Sequence, residues 1–427
     1  MKKMTLALLL VLAFANIYAQ RKSSSPKKEV VIEPGSWQLQ EYLPMLKGKR
    51  VGVFANPTAI VGPAQTLIVD TLIKSGVKIT KIFGPEHGFR GTADAGAKVD
   101  SYVDEKTGIP VVSLYGKKTK PTAEDLADVD VMLFDLQDVG VRFYTYISSM
   151  QDFLESAIVN NRPLIILDRP NPNGFYVDGP VLDTQYKSHV GMQPIPVVYG
   201  MTIGEYAQML LSEQMLIKDA NDKYKTISAS RYKAGSTFFQ LTVIRCKNYT
   251  HKSLYKLPVN PSPNLKDMAS IYLYPSTCFF EGTCLSEGRG TEHPFAIFGH
   301  PTLPKNMFSF TPVSVPGATA PKLKDQVCYG WNLFGSDEEI LKKIDNKIQI
   351  KYLVDAYKLF PGKDSFFLKP KSGKMAASFI AKLYGNTDII QQLADGKSEA
   401  EIRASWEPKL SAFKKIRKKY LLYTDFE

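Results

Sequence analysis

Polar side chains follow four predicted strands, at the positions where each strand ends. The strands are predicted over 51–55, 78–83, 129–134 and 163–167, because short apolar runs there alternate with longer amphipathic stretches. The carboxyl ends of parallel strands meet at one edge of a sheet, and ligands bind at that edge. We therefore expect a single cleft there. Its catalytic candidates are Glu86, His87, Asp135 and Asp138, and its substrate-binding candidates are Asn56, Arg90, Gln137, Arg142, Tyr144, Asp168 and Arg169.

Glu86 is the leading candidate for acid/base chemistry. It lies between Phe83 and Phe89 in the sequence, and partial burial against such neighbours would raise its pKa toward the range of a general acid. Cleavage of a glycosidic bond needs such an acid, together with a second carboxylate or the substrate's own acetamido group. The candidates for the second carboxylate are Asp135, Asp138 and Asp168. An aspartate before Arg-Pro-Asn-Pro, as at position 168, often ties down its own loop instead.

The sequence lacks the signatures of several common enzyme classes. There is no Gly-x-Gly-x-x-Gly fingerprint, no Walker-type phosphate loop, no Gly-x-Ser-x-Gly elbow and no His-Glu-x-x-His helix. We therefore predict no cofactor and no bound metal. A metal-dependent hydrolase that uses Glu86, His87, Asp135 and Asp138 stays open as an alternative, since carboxylates and imidazole are suitable ligands.

A second polar loop lies far along the chain, in the segment Ser-Glu-Gly-Arg-Gly-Thr at 286–291. Glu287 and Arg289 place a carboxylate and a guanidinium among glycines, which suits the binding of sugar hydroxyls or of a substrate carboxylate. An internal salt bridge between these two residues is the alternative. We include both as substrate-binding candidates.

The pattern of elements predicts an α/β protein with a Rossmann-like, doubly wound parallel sheet and a second, smaller α+β domain. Residues 36–185 are expected to form the catalytic sheet domain, with helices over 64–74, 123–127 and 144–159. Beyond residue 185 the predicted strands and helices no longer alternate regularly. Residues 186–427 are expected to form the second domain, which closes the cleft.

The N-terminus has the charged, apolar and small-residue zones of a secretory signal peptide. Residues 1–19 are expected to be removed after Ala19, and residues 20–35 to form a flexible tether. The apolar run over 6–14 is shorter than the roughly 20 residues of a membrane span. We therefore predict an exported protein, periplasmic or secreted, without stable membrane insertion.

The formal net charge of +12 could indicate an anionic partner. Part of the excess lies over 409–419, where a helix is predicted whose basic face is either solvated or anion-binding. No zinc-finger, RNA-recognition or helix-turn-helix signature accompanies it, so nucleic acid is disfavoured as a partner. The cysteines could pair in disulfides or remain buried thiols. They are Cys246, Cys278, Cys284 and Cys328.

Several motifs together resemble one bacterial family, the exo-β-N-acetylmuramidases of glycoside hydrolase family 171, long catalogued as a domain of unknown function. The motifs are Gly-Pro-Glu-His-Gly at 84–88, Phe-Asp-Leu-Gln-Asp-Val-Gly at 134–140, Arg-Phe-Tyr-Thr-Tyr at 142–146, Asp-Arg-Pro-Asn-Pro at 168–172 and Ser-Glu-Gly-Arg-Gly-Thr at 286–291. The resemblance extends from about residue 40 to the end of the chain. Cys284 stands where an asparagine is expected in this family, so we expect one polar contact with substrate to be missing there.

The resemblance implies removal of terminal N-acetylmuramic acid (MurNAc) from the non-reducing end of peptidoglycan fragments. It implies a cleft between a Rossmann-like and a smaller subdomain, Glu86 as the catalytic residue, and glycans of MurNAc and N-acetylglucosamine (GlcNAc) as partners. The lactyl carboxylate of MurNAc suits an arginine contact, for which Arg142 and Arg289 are the candidates. A noncatalytic muropeptide-binding protein remains an alternative.

Overall fold

The computed structural model describes residues 30–86, 88–90, 100–230 and 238–427. The expected signal peptide, most of the expected tether and the catalytic candidate His87 lie outside these ranges. Residues Glu33–Glu427 form one compact unit.

A seven-stranded sheet forms the centre of this unit. Its strands, in chain order, are β1 (Arg50–Ala55), β4 (Lys78–Gly84), β5 (Tyr102–Val103), β6 (Pro110–Ser113), β7 (Val131–Asp135), β8 (Leu164–Leu167) and β9 (Leu241–Ile244), with the hairpin β2 (Ile60–Val61) and β3 (Thr66–Leu67) beside it. The strand order across the sheet is β5-β6-β4-β1-β7-β8-β9. All neighbours pair in parallel except β5, which pairs antiparallel with β6 at the edge. The α/β, doubly wound prediction is confirmed.

Both faces of the sheet are buried, as parallel sheets require. Alternate side chains of a strand point to opposite faces, so Val51 and Val53 join one apolar core while Phe54 joins the other. The first core is covered by α1 (Leu39–Leu46) and α2 (Ile68–Lys74), and the second by α3 (Tyr146–Val159) and α4 (Ile203–Ser212). These two layers fix the strand ends, and therefore the loops that follow them.

Three details differ from the sequence prediction. The sheet does not end near residue 185, because β9 pairs with β8 after a crossover that contains α4 and α5 (Lys218–Ser230). The helix predicted over 64–74 begins only at Ile68, since the residues before it form the short hairpin. The short helix predicted over 123–127 is a series of turns.

The rest of the chain is α+β. Here α6 (Met268–Thr277) leads into a three-stranded antiparallel sheet of β10 (Ile297–His300), β11 (Phe308–Phe310) and β12 (Cys328–Asn332). The helices that follow are α7 (Asp337–Ile344), α8 (Lys351–Leu359), α9 (Phe379–Tyr384), α10 (Asp388–Ala394) and α11 (Glu399–Arg417). Within the ranges described, no helix is long and apolar enough to cross a membrane.

Much of the basic charge over 409–419 is paired within the protein. Arg417 is fully buried and binds Asp425, while Lys414 and Lys418 both contact Glu427. These pairs hold the C-terminal tail against the helix, which favours a structural role for this face over an anion-binding one. The four cysteines are free thiols.

Candidate active site

A cleft of about 330 Å³ opens at the carboxyl edge of the sheet. It combines charged groups with a wall of phenolic and apolar side chains, which is typical of sites that bind small ligands. Its charged and phenolic residues, within the described ranges, are Glu86, Glu281, Arg289, Tyr115, Tyr144, Tyr146 and Tyr274. The cleft therefore contains two carboxylates and one guanidinium.

Glu86 lies in a tight turn directly after β4. The amide of Gly88 donates to the carbonyl of Pro85 over 2.9 Å, and Gly88 has a φ of 76°, a left-handed conformation that glycine adopts without strain. A side chain at Gly84 would place its Cβ 3.0 Å from the amide nitrogen of Phe89. The two glycines thus allow a turn that presents the half-buried Glu86 to the cleft.

Hydroxyl groups surround the Glu86 carboxylate. Thr145 Oγ1, at the start of α3, donates to Glu86 Oε2 over 3.2 Å. Burial, the negative charge of Glu86 and a hydrogen bond to it raise the pKa of Tyr115. The expected aromatic neighbours Phe83 and Phe89 are instead fully buried in the two cores on opposite faces of the sheet. Phe83 and Phe89 therefore anchor the two ends of the loop that carries Glu86, and neither ring lines the cleft.

Tyr144 and Tyr146 connect the sheet edge to the loop that precedes α6. Their ring centroids lie 4.7 Å apart, and both hydroxyls donate to the carbonyl of Pro261, over 2.7 and 3.3 Å. Asn56 Nδ2 in turn donates to the Tyr146 hydroxyl over 2.7 Å. Asn56 and Tyr144, both predicted from the sequence, therefore belong to the same wall.

Arg289 is held in the cleft by two carboxylates. Its Nη2 atom lies 2.6 Å from Glu281 Oε1, and its Nε atom 3.3 Å from Glu287 Oε1. Its Nη1 atom is buried without a hydrogen-bond partner in the described part of the chain. Buried donors are nearly always satisfied, so this atom is a candidate contact for a bound ligand.

Glu287 does not line the cleft but contacts Arg289, which does. Burial alone would raise its pKa, but Lys322 and Arg289 hold the pKa below its usual value. Lys322 Nζ lies 2.9 Å from Glu287 Oε2. The salt bridge that the sequence offered as the alternative for Glu287 and Arg289 is therefore present, and Arg289 reaches the cleft as well.

Asp135 and Arg169 form a buried ion pair. Arg169 Nε and Nη2 donate to the two carboxylate oxygens over 2.6 and 2.9 Å, and both side chains are almost fully excluded from solvent. Arg169 also donates to Ser36 Oγ and to the carbonyl of Ile60. Neither member of the pair lines the cleft.

Asp138 and Gln137 brace the loop after β7. Asp138 Oδ2 accepts from the amide of Gly140 and from the Tyr199 hydroxyl, and burial raises the pKa of Asp138 to about 7. Gln137 Nε2 donates to the carbonyls of Asp138 and Pro170. Both residues line a separate, very small cavity.

Asp168 has a structural role, but its carboxylate ties down the C-terminal tail and not, as the sequence alternative had it, its own loop. It accepts from the Tyr423 hydroxyl over 2.6 Å and from the amide of Gly204 over 2.9 Å. Burial raises its pKa to about 6. It does not reach the cleft.

Arg142 is fully buried and faces carbonyl groups rather than the cleft. Its guanidinium donates to the carbonyls of Pro180, Ile195 and Leu383 over 2.6–2.8 Å. Burial lowers its pKa to about 9. Arg90 binds both oxygens of Asp104, over 2.9 and 2.8 Å, and does not line the cleft either.

The residues that the sequence offers as metal ligands do not form one cluster among the described residues. Glu86 lines the cleft, Asp135 is paired with Arg169, and Asp138 lines the other cavity. His87 lies outside the described residues. Across the ranges that the structure describes, no cluster of three or more histidine, cysteine and carboxylate side chains has the geometry to hold a metal ion.

The sequence prediction missed Tyr115, Glu281 and Tyr274. Tyr115 follows β6, so the same strand-end rule that identified Glu86 could have found it. Tyr274 lies in α6, and Glu281 lies in the short 3₁₀ turn Cys278–Gly282 that follows it. No sequence pattern places these two residues opposite a sheet edge.

Comparisons with known proteins agree with this architecture. The chain matches the family model for the N-terminal part of the exo-β-N-acetylmuramidase NamZ over residues 51–269, and the model for its C-terminal part over residues 272–423. It is 38% identical over 419 residues to the peptidoglycan β-N-acetylmuramidase NamZ of Bacillus subtilis (strain 168), covering 94% of each chain.

Two crystal structures of DUF1343 family proteins from Bacteroides fragilis NCTC 9343 are similar. One superposes with a TM-score of 0.79 at 42% identity, over 93% of this chain and 100% of that protein. The other has a TM-score of 0.72 at 28% identity, over 92% and 99%. With both family models matched and the likeness extending over nearly the whole length, the chain belongs to the exo-β-N-acetylmuramidase family.

Proposed function

We propose that this protein is an exo-acting glycosidase that releases MurNAc from the non-reducing end of peptidoglycan fragments, with Glu86 as its catalytic acid. The observation that carries the proposal is the position of Glu86, which a glycine-flanked turn at the end of β4 presents to the cleft. Membership in the exo-β-N-acetylmuramidase family supports the substrate and the bond.

In this proposal, Glu86 donates its proton to the glycosidic oxygen as the bond to MurNAc breaks. A water molecule supplies the new oxygen on the anomeric carbon, and the proton that it loses returns to Glu86. The hydroxyls of Thr145 and Tyr115 orient the carboxyl group. Tyr144 and Tyr146 form a rigid wall for the sugar, because Pro261 and Asn56 fix both hydroxyls. Asp135, Asp138 and Asp168, the candidates for a second carboxylate, do not line this cleft.

Recognition of MurNAc is assigned to Arg289. The lactyl carboxylate distinguishes MurNAc from GlcNAc, and the unpartnered Nη1 atom of Arg289 offers it a charge-assisted hydrogen bond. Arg142, the other arginine considered for this contact, already donates to three carbonyls and is fully buried. The geometry therefore favours Arg289 as the contact for the lactyl carboxylate.

The test is release of MurNAc from the disaccharide MurNAc-β-1,4-GlcNAc by the wild type and by Glu86→Gln. Loss of the acid should lower kcat by about 10²-fold or more. Glu124→Gln, a change at an exposed glutamate outside the cleft, is the matched control and should retain full activity.

Two outcomes would contradict the proposal. Sugar binding without hydrolysis by either protein would indicate a noncatalytic muropeptide-binding protein. Wild-type activity that disappears in chelator would indicate metal-dependent hydrolysis.

We also propose that the mature protein begins after Ala19 and acts outside the cytoplasm, in the periplasm or after secretion. The support is the sequence of residues 1–19, with its charged, apolar and small-residue zones. Cell fractionation followed by mass spectrometry of the N-terminus tests this. A cytoplasmic protein that retains Met1 would overturn it.

A further inference from the structure

A second cavity of about 260 Å³ adjoins the main cleft. Tyr146 and Ser262 line both cavities, so these two side chains form the partition between them. The other residues that line the second cavity are Asn56, Pro57, Thr58, Asn260, Pro261 and Pro263.

The walls of the second cavity are held in place before any ligand arrives. Asn56 Oδ1 accepts from the amide and the hydroxyl of Thr58, over 3.0 and 2.6 Å, and the Thr58 hydroxyl accepts from the amide of Gln137. On the opposite side, Pro261 is fixed by Tyr144 and Tyr146. Prolines restrict the backbone further, and such preorganisation is typical of binding sites.

The two cavities differ in charge. The main cleft contains Glu86, Glu281 and Arg289, whereas every described residue that lines the second cavity is uncharged. They are similar in volume, about 330 and 260 Å³. A disaccharide of one acidic and one neutral sugar matches this pair of cavities. Its two rings are similar in size, and only one of them carries a carboxylate.

We propose that the second cavity is the leaving-side subsite, which binds the uncharged GlcNAc residue attached to the departing oxygen. This inference rests on the proposed function, since it takes the main cleft as the MurNAc site. The glycosidic bond then lies at the partition, where Tyr146 and Ser262 separate the two spaces and Glu86 belongs to the MurNAc side. A stem peptide, whose side chains and terminus are charged, fits this neutral cavity less well.

The experiment compares two substrates that share MurNAc but differ on the leaving side: MurNAc-β-1,4-GlcNAc and methyl β-MurNAc. Asn260 is exposed, so Asn260→Trp places a large ring in the second cavity with little risk to the fold. We expect kcat/KM for the disaccharide to fall by about tenfold or more relative to that for the methyl glycoside. Asn306→Trp, at an exposed position that lines neither cavity, is the matched control and should change neither value.

Equal effects of Asn260→Trp on both substrates, or no effect on either, would overturn the subsite. So would a selective loss on MurNAc that carries a stem peptide, because the occupant would then be the peptide. If the wild type hydrolyses neither substrate, the proposed function fails, and binding to the wild type decides about the subsite. The disaccharide must then bind more tightly than methyl β-MurNAc and lose that advantage in Asn260→Trp.

Discussion

Arg289 Nη2 lies 2.6 Å from Glu281 Oε1, and both side chains line the cleft that contains Glu86. Glu281 thus fixes one edge of the guanidinium, while Nη1 on the same group has no partner in the described part of the chain. An arginine that lines the cleft and keeps one N–H group without a partner is suited to recognise an acidic substrate.

Arg289→Ala should therefore weaken discrimination for MurNAc. A hydrogen bond to a charged group contributes about 1.5–3 kcal/mol, so KM for a MurNAc-terminated disaccharide should rise by about ten- to a hundredfold. KM for a GlcNAc-terminated analogue should change little. Steady-state kinetics with the two substrates measure this difference.

Arg90→Ala is the control for that prediction. The sequence also offers Arg90 as a substrate-binding candidate, but its guanidinium is paired with Asp104 and does not line the cleft. In Arg90→Ala, the ratio of KM for the MurNAc-terminated disaccharide to KM for the GlcNAc-terminated analogue should remain that of the wild type. A change in that ratio for Arg90→Ala, with none for Arg289→Ala, would refute the assignment of the carboxylate contact.

The sequence predicts the sheet, its edge and the turn that presents Glu86, because these depend on local alternation and on glycine and proline positions. It does not predict which polar side chains face inward. Arg142 binds carbonyls of Pro180, Ile195 and Leu383, residues far apart in the chain, and no local pattern encodes that arrangement. Glu281 reaches the cleft for the same reason, through tertiary packing of a separate segment.

Gly88→Ala tests the turn that carries Glu86. A side chain at a left-handed φ of 76° costs about 1–2 kcal/mol, and relief of this strain should shift Glu86. We expect a lower free energy of unfolding and a fall in kcat of at least about tenfold, since small displacements of a catalytic group are costly.

Gly76→Ala is the control for Gly88. Gly76 has a φ of 78°, and a Cβ there meets no atom within 4 Å. The loss of stability should be similar, but kcat should be unchanged because Gly76 does not line the cleft. Equal kcat values for the two variants would contradict a specific role for the turn at Gly88.

Asp138 should make stability depend on pH. Its pKa is raised to about 7 in the folded protein, well above that of an unfolded aspartate, at about 4. The folded state therefore binds the proton more tightly. The stabilisation from the protonated Asp138 carboxyl group is complete below about pH 4 and disappears as the pH rises through about 7. It amounts to a few kcal/mol over this window.

Asp138→Asn removes this titration. The free energy of unfolding of the variant, relative to the wild type, should increase between pH 5 and pH 8, as measured by chemical denaturation. The activity per folded molecule should stay close to that of the wild type, because Asp138 lies outside the cleft. A loss of about 10²-fold in kcat with the fold intact would instead return Asp138 to the catalytic machinery.

The Asp135–Arg169 pair should contribute to folding and not to catalysis. Asp135→Asn leaves the buried guanidinium of Arg169 without its countercharge, which should lower the free energy of unfolding by about 3–5 kcal/mol. The double variant Asp135→Asn/Arg169→Met removes the unpaired charge, so it should be more stable than the single variant.

The same double variant tests whether the pair takes part in catalysis. Where the single variant is too unstable to isolate, the double variant provides the kinetic measurement. A double variant that folds and keeps the wild-type kcat assigns the pair to the scaffold, in keeping with the absence of both side chains from the lining of the cleft. A folded double variant without activity would place the pair in the chemistry after all.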